Sequence, residues 1–319
     1  MCMKKADPKA SVCISDAYGR LGQCVVGAAS GIGVKNGIPW SEMTMDGESL
    51  TDRLERENAS LMKVLEDMGV DVLRPKVLTR ESLIWAYGPA GADSGLNQLF
   101  PRNCVAIVAN DLIEFESNVP GMRTSILGLH DILHEKSRDD GVCWYSTPHC
   151  PLLCSPLKYP FLDARDIIQL DDKILIGLHK NGRGTNPEGF RWMRNTFAFH
   201  DVRAVELPDD VEYLSQALCV PRPGLAMACR DYVELPSYMR DWDIVDVTKE
   251  ECLSYIPDGL ALDEDTFVIG YSDRADASRL ASELSKRGSD VIALDFTAHM
   301  ELGGSVGSSV LPLKRAVKN

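Results

Sequence analysis

A strand–turn–strand unit, followed by an amphipathic helix and another strand, recurs along the chain, and this repeat most limits what the chain can fold into. In each unit apolar β-formers flank two or three turn-formers, which is the pattern of a β-hairpin. The predicted hairpins join 105–109 to 112–115, 166–170 to 174–177, 225–229 to 232–235, and 260–262 to 266–270. Repeats of this kind must bury their apolar faces against one another. The pattern therefore predicts one closed, internally symmetric α/β domain.

Three stretches between these hairpins have apolar residues at helical spacing. They cover 50–68, 191–197 and 274–287, and each runs into a short apolar strand. Gly69 and Gly288 follow the first and third stretch, as expected for left-handed helix caps. The chain thus predicts an alternation of hairpin, helix and strand.

Charge and hydropathy exclude several classes of partner. The chain of 319 residues has a net charge of −13 and a pI near 5.0, whereas nucleic acids and anionic membranes select basic surfaces. No apolar run approaches the roughly 20 residues of a membrane span. Residues 1–9 contain lysines without an apolar stretch behind them, so we expect no signal peptide and a cytoplasmic location.

The ten cysteines are scattered singly, apart from Cys150 and Cys154. A structural zinc site usually shows two close pairs, and no second pair or histidine cluster accompanies this one. We therefore expect free thiols in a reducing compartment, with neither a metal nor an organic cofactor.

Five segments, in order, resemble the glycine and inosamine amidinotransferase family. They are 24–27, 101–103 with 107–110, 144–148 with 161–167, 213–215 with 220–225, and 302–304. The resemblance covers about residues 22–315. It implies the pentein fold, a five-bladed α/β propeller with pseudo-fivefold repeats. We expect a single amidinotransferase-like domain over 1–319, with 1–20 as an N-terminal extension.

The resemblance also implies a chemistry. In this family a cysteine thiolate attacks the guanidine carbon of arginine and passes the amidino group to an acceptor amine. A histidine moves protons between the amines, and an aspartate orients that histidine. Two further carboxylates hold the planar guanidinium by charge-assisted hydrogen bonds.

At the matching positions this chain carries different groups. Ser308 stands for the cysteine and Tyr213 for the histidine, while Asn103 and Ser215 replace the two guanidinium-holding aspartates. Only Asp166, which matches the histidine-orienting aspartate, is retained. The resemblance therefore assigns catalytic positions to Asp166, Tyr213 and Ser308, and substrate-binding positions to Asn103 and Ser215.

These replacements predict a changed ligand. A buried cation without carboxylate partners costs several kcal/mol, so a neutral amide, ureido or hydroxyl group suits the site better than a guanidinium. Tyr213 is expected to hydrogen-bond Asp166 and to act as a weak acid if its pKa is lowered. By loose alignment with the family, Arg230 would hold a substrate carboxylate and Asp258 would line the pocket.

Three functional hypotheses follow. The first is an enzyme of specialised metabolism that acts on a small amino-acid-like molecule without a cysteine-bound amidino intermediate. The second is a catalytically inactive binding or partner subunit, since fold alone does not fix function. The third is arginine amidino transfer through an unrecognised nucleophile such as Cys219. Both a homodimer and a hetero-oligomer are compatible with the sequence.

Overall fold

Five three-stranded sheets, all built on one plan, form the framework of the described part of the chain. In the computed structural model this part comprises residues 6–29, 33–35, 38–93, 97–117, 120–150, 158–180 and 184–317. In each sheet the first strand is antiparallel to the middle strand, and the third is parallel to it. From first to third strand the sheets are Val310–Arg315, Leu21–Val26 and Asp71–Leu73; Val105–Val108, Asp111–Glu114 and Cys143–Ser146; Ile167–Leu170, Lys173–His179 and Asp201–Leu207; Leu218–Arg222, Leu225–Ala228 and Asp243–Asp246; and Leu260–Ala261, Thr266–Tyr271 and Asp290–Asp295.

The C-terminal strand closes the set of sheets into a ring. Val310–Arg315 pairs with Leu21–Val26 near the N-terminus, with Val25 opposite Leu311. The first strands of all five sheets line one axial cavity, so they are the inner strands of the ring. The predicted pseudo-fivefold α/β fold is confirmed.

In four of the five sheets one or more α-helices occupy the connection between the middle and third strands, and the connection between Leu225–Ala228 and Asp243–Asp246 has only a 3-10 turn. The α-helices described are Leu50–Asp67, Arg80–Asp93, Pro120–Arg123, His130–Lys136, Pro187–Thr196, Leu214–Ala217, Lys249–Leu253, Ser278–Lys286, Thr297–Glu301 and Val306–Ser309. Short 3-10 turns cover Trp40–Glu42, Pro101–Asn103, Ser125–Gly128, Ala164–Asp166 and Ser237–Met239. Two small hairpins pair Val34–Lys35 with Ile38–Pro39 and Thr44–Met45 with Glu48–Ser49.

Two of the three predicted helices have different starts. The helix predicted at residue 191 begins at Pro187, because the Asn186 side chain accepts a hydrogen bond from the amide of Gly189 and proline suits the first helical position. The helix predicted from residue 274 begins at Ser278, since Ala275 forms a bridge with Ser272 instead.

One predicted hairpin is wrong. Residues 232–235 form no strand, and Leu225–Ala228 pairs antiparallel with the preceding strand Leu218–Arg222 and parallel with Asp243–Asp246. The turn lies at Gly224, whose φ of 73° is in the left-handed region that glycine tolerates. Arg230 and Asp231 therefore follow a strand and do not turn a hairpin.

The N-terminal segment lies across one end of the ring. The backbone amide of Cys13 donates to the carbonyl of Leu313, and the amide of Ile14 donates to the carbonyl of Ala109. In the opposite direction, the amide of Asp171 donates to the carbonyl of Ser15. These residues belong to or directly adjoin strands of three neighbouring sheets. Val12 and Cys13 are fully buried, so the segment that we expected to be an extension contributes to the core.

Candidate functional site

Five polar side chains occupy matching places in the five sheets. Each lies one to three residues before an inner strand: Asn103, Asp166, Ser215, Asp258 and Ser308. None is more than 4% exposed. Because the inner strands surround the axis, this spacing places one polar group of each sheet around the axis. The structure thereby gives five of the seven predicted site residues a shared location.

Asp258 is the centre of the hydrogen bonding. Its carboxylate accepts from the hydroxyls of Ser308 at 2.5 Å, Ser215 at 2.9 Å and Tyr213 at 3.2 Å. The backbone amides of Ser305 and Ser308 donate to the same carboxylate at 3.2 and 3.1 Å. Five donors on one carboxylate fix its position firmly. The residue expected only to line the pocket therefore organises a buried hydrogen-bonded cluster.

The expected pairing of Tyr213 with Asp166 is wrong. The Tyr213 hydroxyl donates to Asp258, whereas Asp166 accepts from the backbone amides of Leu214 at 2.9 Å and Thr185 at 3.0 Å. Burial, together with the negative charge of Asp258, raises the pKa of Tyr213 well above its usual value. A phenol in this state is a weaker acid than in water and acts as a hydrogen-bond donor.

An arginine that sequence reasoning overlooked fills the space beside Tyr213. The Arg165 guanidinium lies 4.0 Å above the Tyr213 ring, and that ring stacks on Tyr255 at a centroid separation of 6.0 Å. Two nitrogens of Arg165 bond the carboxylate of Asp163, with its Nη2 at 2.7 Å, and Nη1 donates to the Gly303 carbonyl at 3.1 Å. Arg165 and Asp163 are buried. The interior of the protein thus already contains a guanidinium with a carboxylate and an aromatic partner.

This arrangement has a local cause in the sequence. Asp163 caps the 3-10 turn Ala164–Asp166, with its side chain accepting from the backbone amide of Arg165. The same carboxylate then receives the guanidinium of that residue. The segment Asp163–Ala164–Arg165–Asp166 lies within the resembling segment 161–167, and the opposite charges of Asp163 and Arg165 two positions apart are the signal that could have revealed the pair.

His179 is a second residue that sequence reasoning missed. It ends the strand Lys173–His179, is 2% exposed, and its Nε2 lies 3.5 Å from the Asp166 carboxylate. Burial alone would lower the pKa of His179, but the interaction with Asp166 outweighs burial and raises that pKa above its usual value. The structure thus gives Asp166 an imidazole partner from its own sheet.

This pair predicts a pH dependence of stability. A histidine whose pKa is higher in the folded state stabilises the fold fully below its unfolded pKa of about 6.5, and that contribution is lost as the pH rises through the folded value. We expect the difference in unfolding free energy between wild type and His179→Gln to be largest near pH 5.5 and to shrink by about pH 8.5. Urea unfolding across this range measures it. The exposed His134, changed to Gln, is the control, and a difference independent of pH contradicts the pairing.

Two predicted substrate-binding residues differ in their surroundings. Asn103 is buried, with its Nδ2 3.1 Å from the sulfur of Met122 and its Oδ1 without a hydrogen-bond partner among the described residues. Arg230 is on the surface, where its guanidinium pairs with Asp246 at 2.6 Å and the two side chains are 59% and 63% exposed. Arg230 therefore does not join the buried cluster.

Cys219 is placed near the cluster but is a poor nucleophile. It lies on the inner strand Leu218–Arg222 and lines the axial cavity with Ser215. Burial, followed by the charge of Asp258, raises its pKa to about 12. Because the thiolate is the reactive form of cysteine, the thiol is almost entirely protonated and unreactive at neutral pH.

The described residues give no support for a metal site. Among them, no group of three or more His, Cys, Asp or Glu side chains is arranged to hold an ion. Cys150 is buried, while Cys154 lies outside the described residues. In the same ranges, no helix combines the length and apolar character that crossing a membrane requires.

Comparison with curated proteins finds relatives of one kind. The chain is 24% identical over 299 residues to inosamine-phosphate amidinotransferase 1 of Streptomyces glaucescens, which covers 83% of this chain and 82% of the relative. The protein of the same name from Streptomyces griseus is 24% identical over 294 residues, which covers 83% of this chain and 81% of the relative. No protein-family profile matches the chain.

Solved structures show the same fold. The amidinotransferase SxtG of the saxitoxin biosynthetic pathway from Microseira wollei superposes with a TM-score of 0.79 at 17% identity, over 97% of this chain and 98% of that one. The inosamine-phosphate amidinotransferase of Streptomyces griseus superposes with a TM-score of 0.78 at 19% sequence identity, over 97% of this chain and 98% of that one. A dimethylarginine dimethylaminohydrolase superposes with a TM-score of 0.64 at 16% sequence identity, over 91% of this chain and 99% of that one.

Proposed function

We propose that this chain, as a member of the amidinotransferase family in the pentein superfamily, acts in specialised metabolism. It does so without transferring an amidino group through a thiol. One observation carries the proposal. The position that the resemblance assigns to the nucleophile carries Ser308, whose hydroxyl donates to Asp258 at 2.5 Å inside a buried cluster.

The chemistry of that contact argues against a covalent step. A serine attacks a guanidine carbon only after a base removes its proton. Asp258 is the acceptor in contact, and it already accepts from two other hydroxyls and two backbone amides. Its acceptor positions are therefore already occupied by donors that hold the carboxylate in place. Cys219, which lines the axial cavity with Ser215, is protonated at neutral pH because its pKa is raised to about 12.

Within this proposal, the surroundings of Arg165 favour a binding or partner subunit. A pocket for a substrate guanidinium needs carboxylates and space, and Asp163 and Tyr213 are already engaged by the guanidinium of Arg165. A substrate arginine would have to displace a buried, hydrogen-bonded ion pair, which costs several kcal/mol. The proposed subunit keeps the scaffold of its relatives and fills their reaction space with its own side chains.

One observation favours the enzyme hypothesis as a second candidate. The Oδ1 of Asn103 and the Oγ of Ser305 are buried without hydrogen-bond partners among the described residues. Buried polar atoms are normally paired, so a neutral amino-acid-like ligand with N–H or O–H groups would satisfy them. Thermal shift with arginine, citrulline and glutamine separates charged from neutral ligands. Stabilisation by arginine above its neutral analogues would contradict the loss of guanidinium binding.

The direct test of the proposal is incubation with arginine labelled in the guanidine carbon and an acceptor amine. The amidinotransferase of Streptomyces griseus is the positive control. We expect no label on this protein after acid quenching and no amidino product. A labelled protein or product would restore amidino transfer as the activity.

Restoring the thiol should not restore the reaction. We expect Ser308→Cys to remain unlabelled under the same conditions, because a buried thiol beside the Asp258 carboxylate has a raised pKa and, among the described residues, no imidazole is hydrogen-bonded to position 308. Mass spectrometry of the intact protein measures the adduct. A stoichiometric adduct in Ser308→Cys would mean that the surrounding site is still competent and that the serine alone removed the activity.

A further inference from the structure

A cavity of about 100 Å³ lies on the ring axis among the five inner strands. Most of its wall is apolar, from residues such as Val105, Ile167, Leu218 and Leu311. Its polar wall is contributed by Asp16, Arg102, Gln169, Ser215, Cys219 and Arg315. The wall therefore places two positively charged side chains and one carboxylate around a small cavity.

The two guanidinium groups in the wall contact backbone carbonyls. Arg102 donates to Ile167 at 3.1 Å and to Gly307 at 3.4 Å, while Nη1 of Arg315 donates to Gly19 at 2.6 Å and to Ala261 at 2.9 Å. Among the described residues, neither guanidinium lies within 4.0 Å of a carboxylate oxygen. Carbonyl oxygens satisfy N–H groups but do not neutralise the charge, which is costly to bury unpaired.

The single carboxylate of the wall is committed elsewhere. Asp16 accepts from the backbone amides of Tyr18 at 3.0 Å and Gly19 at 2.5 Å, and from the Ser15 hydroxyl at 3.0 Å. Burial lowers the pKa of Arg315 to about 10, with Asp16 opposing that shift and Arg102 adding to it. With two guanidinium groups and one carboxylate, the charged side chains of the wall sum to a net positive charge.

A buried acceptor in the same wall also has no partner. Gln169 is 6% exposed, and its Nε2 donates to the carbonyl of Ile14 at 3.0 Å. Its Oε1 makes no hydrogen bond among the described residues. Buried amide oxygens are normally satisfied, so the wall offers one open acceptor site beside two cations.

We propose that this axial cavity binds a small oxyanion that also carries a hydrogen-bond donor. The anionic oxygens face Arg102 and Arg315, and the donor satisfies Oε1 of Gln169. An engineered cavity of about 150 Å³ holds benzene, so a cavity of about 100 Å³ takes a molecule of no more than about five heavy atoms. A 2-hydroxycarboxylate such as glycolate and the hydrogen phosphate ion both have this chemistry. The proposal does not depend on the loss of amidino transfer.

The test compares wild-type protein with glycolate, acetate, hydrogen phosphate and chloride at one ionic strength, by calorimetric titration and thermal unfolding. We expect saturable binding of glycolate or hydrogen phosphate, and which of the two binds more tightly identifies the source of the oxyanion. Acetate matches glycolate in charge but lacks the donor, and should bind roughly tenfold more weakly. Equal affinity for acetate and glycolate, or saturable binding of chloride only, overturns the proposal, as does the absence of saturable binding by every anion.

Gln169→Glu is the sharpest variant, because the change is nearly isosteric and supplies the cavity with its own carboxylate. We expect it to fold and to lose measurable glycolate and phosphate binding. Arg191→Gln is the matched control, since it removes one exposed positive charge outside the cavity and should bind as wild type does. Unchanged affinity in Gln169→Glu overturns the site. If that variant fails to fold, the wild-type comparison of glycolate with acetate decides.

Discussion

Arg165→Met should lose about 3–5 kcal/mol of unfolding free energy, because it leaves the Asp163 carboxylate buried without its cation. In the wild-type protein two guanidinium nitrogens bond Asp163, a third nitrogen bonds the Gly303 carbonyl, and the group stacks on the Tyr213 ring. Methionine retains much of the volume and none of these bonds. Urea unfolding, with the slope checked for two-state behaviour, measures the loss.

The controls separate charge from packing. Asp163→Asn combined with Arg165→Met removes both charges, so it should recover most of the stability that the single change loses. Arg191→Met removes an exposed arginine that pairs with Glu188, and should lose less than about 1 kcal/mol. A double variant as unstable as the single one would mean that packing against Tyr213, and not the charge of Asp163, determines the effect.

The same variant tests the occupied-pocket interpretation. If Arg165 fills a guanidinium-shaped space, methylguanidinium should bind Arg165→Met and raise its melting temperature at concentrations too low to denature proteins. It should leave wild type and the double variant unchanged. Stabilisation of all three proteins alike would show that the compound acts elsewhere, and the space would then not be selective for this cation.

Asp258→Asn should be the second most damaging change, with a loss of about 3 kcal/mol or more. The carboxylate accepts from three hydroxyls and two backbone amides, and hydrogen bonds to a charged group contribute about 1.5–3 kcal/mol each. Asparagine keeps one acceptor oxygen and presents an NH₂ group to donors. Urea unfolding measures the change.

Two comparisons make this result specific. Ser308→Ala removes one donor and should cost less than Asp258→Asn, while Asp210→Asn at an exposed position should be near neutral. If Asp258→Asn and Ser308→Ala cost the same, Asp258 serves Ser308 alone and does not organise the cluster.

The local sequence was sufficient for most of the framework. Turn-formers between apolar stretches located three hairpins, whose turns are Ala109–Asn110, one residue earlier than expected, Asp171–Asp172 and 263–265. Helical spacing located Leu50–Asp67. The failure at 225–235 has a physical reason. Both Gly224 and the pair Arg230–Asp231 look like turns, and the choice between them depends on which strand already pairs with Leu225–Ala228.

Resemblance to relatives indicated the positions of the site but not its contacts. Several of the assigned positions lie just before inner strands, among them Asp166, Ser215, Asp258 and Ser308. The sequence did not predict which groups these side chains contact. Tyr213 lies at a similar distance along the chain from Asp166 and from Asp258, 45 positions away, and it bonds Asp258 because the ring brings neighbouring sheets together at the axis.

By itself, then, the sequence determined the repeat, the closed α/β architecture and the absence of a cysteine at position 308. Only the tertiary structure decided that Asp258 joins three hydroxyls, that Arg165 fills the space beside Tyr213, and that two arginines share an axial cavity. The reason is that strand and helix patterns arise from contacts between near neighbours in the chain. The hydrogen bonds to the Asp258 carboxylate join residues 43 or more positions apart, such as Ser215 and Asp258, and depend on how five sheets close around one axis.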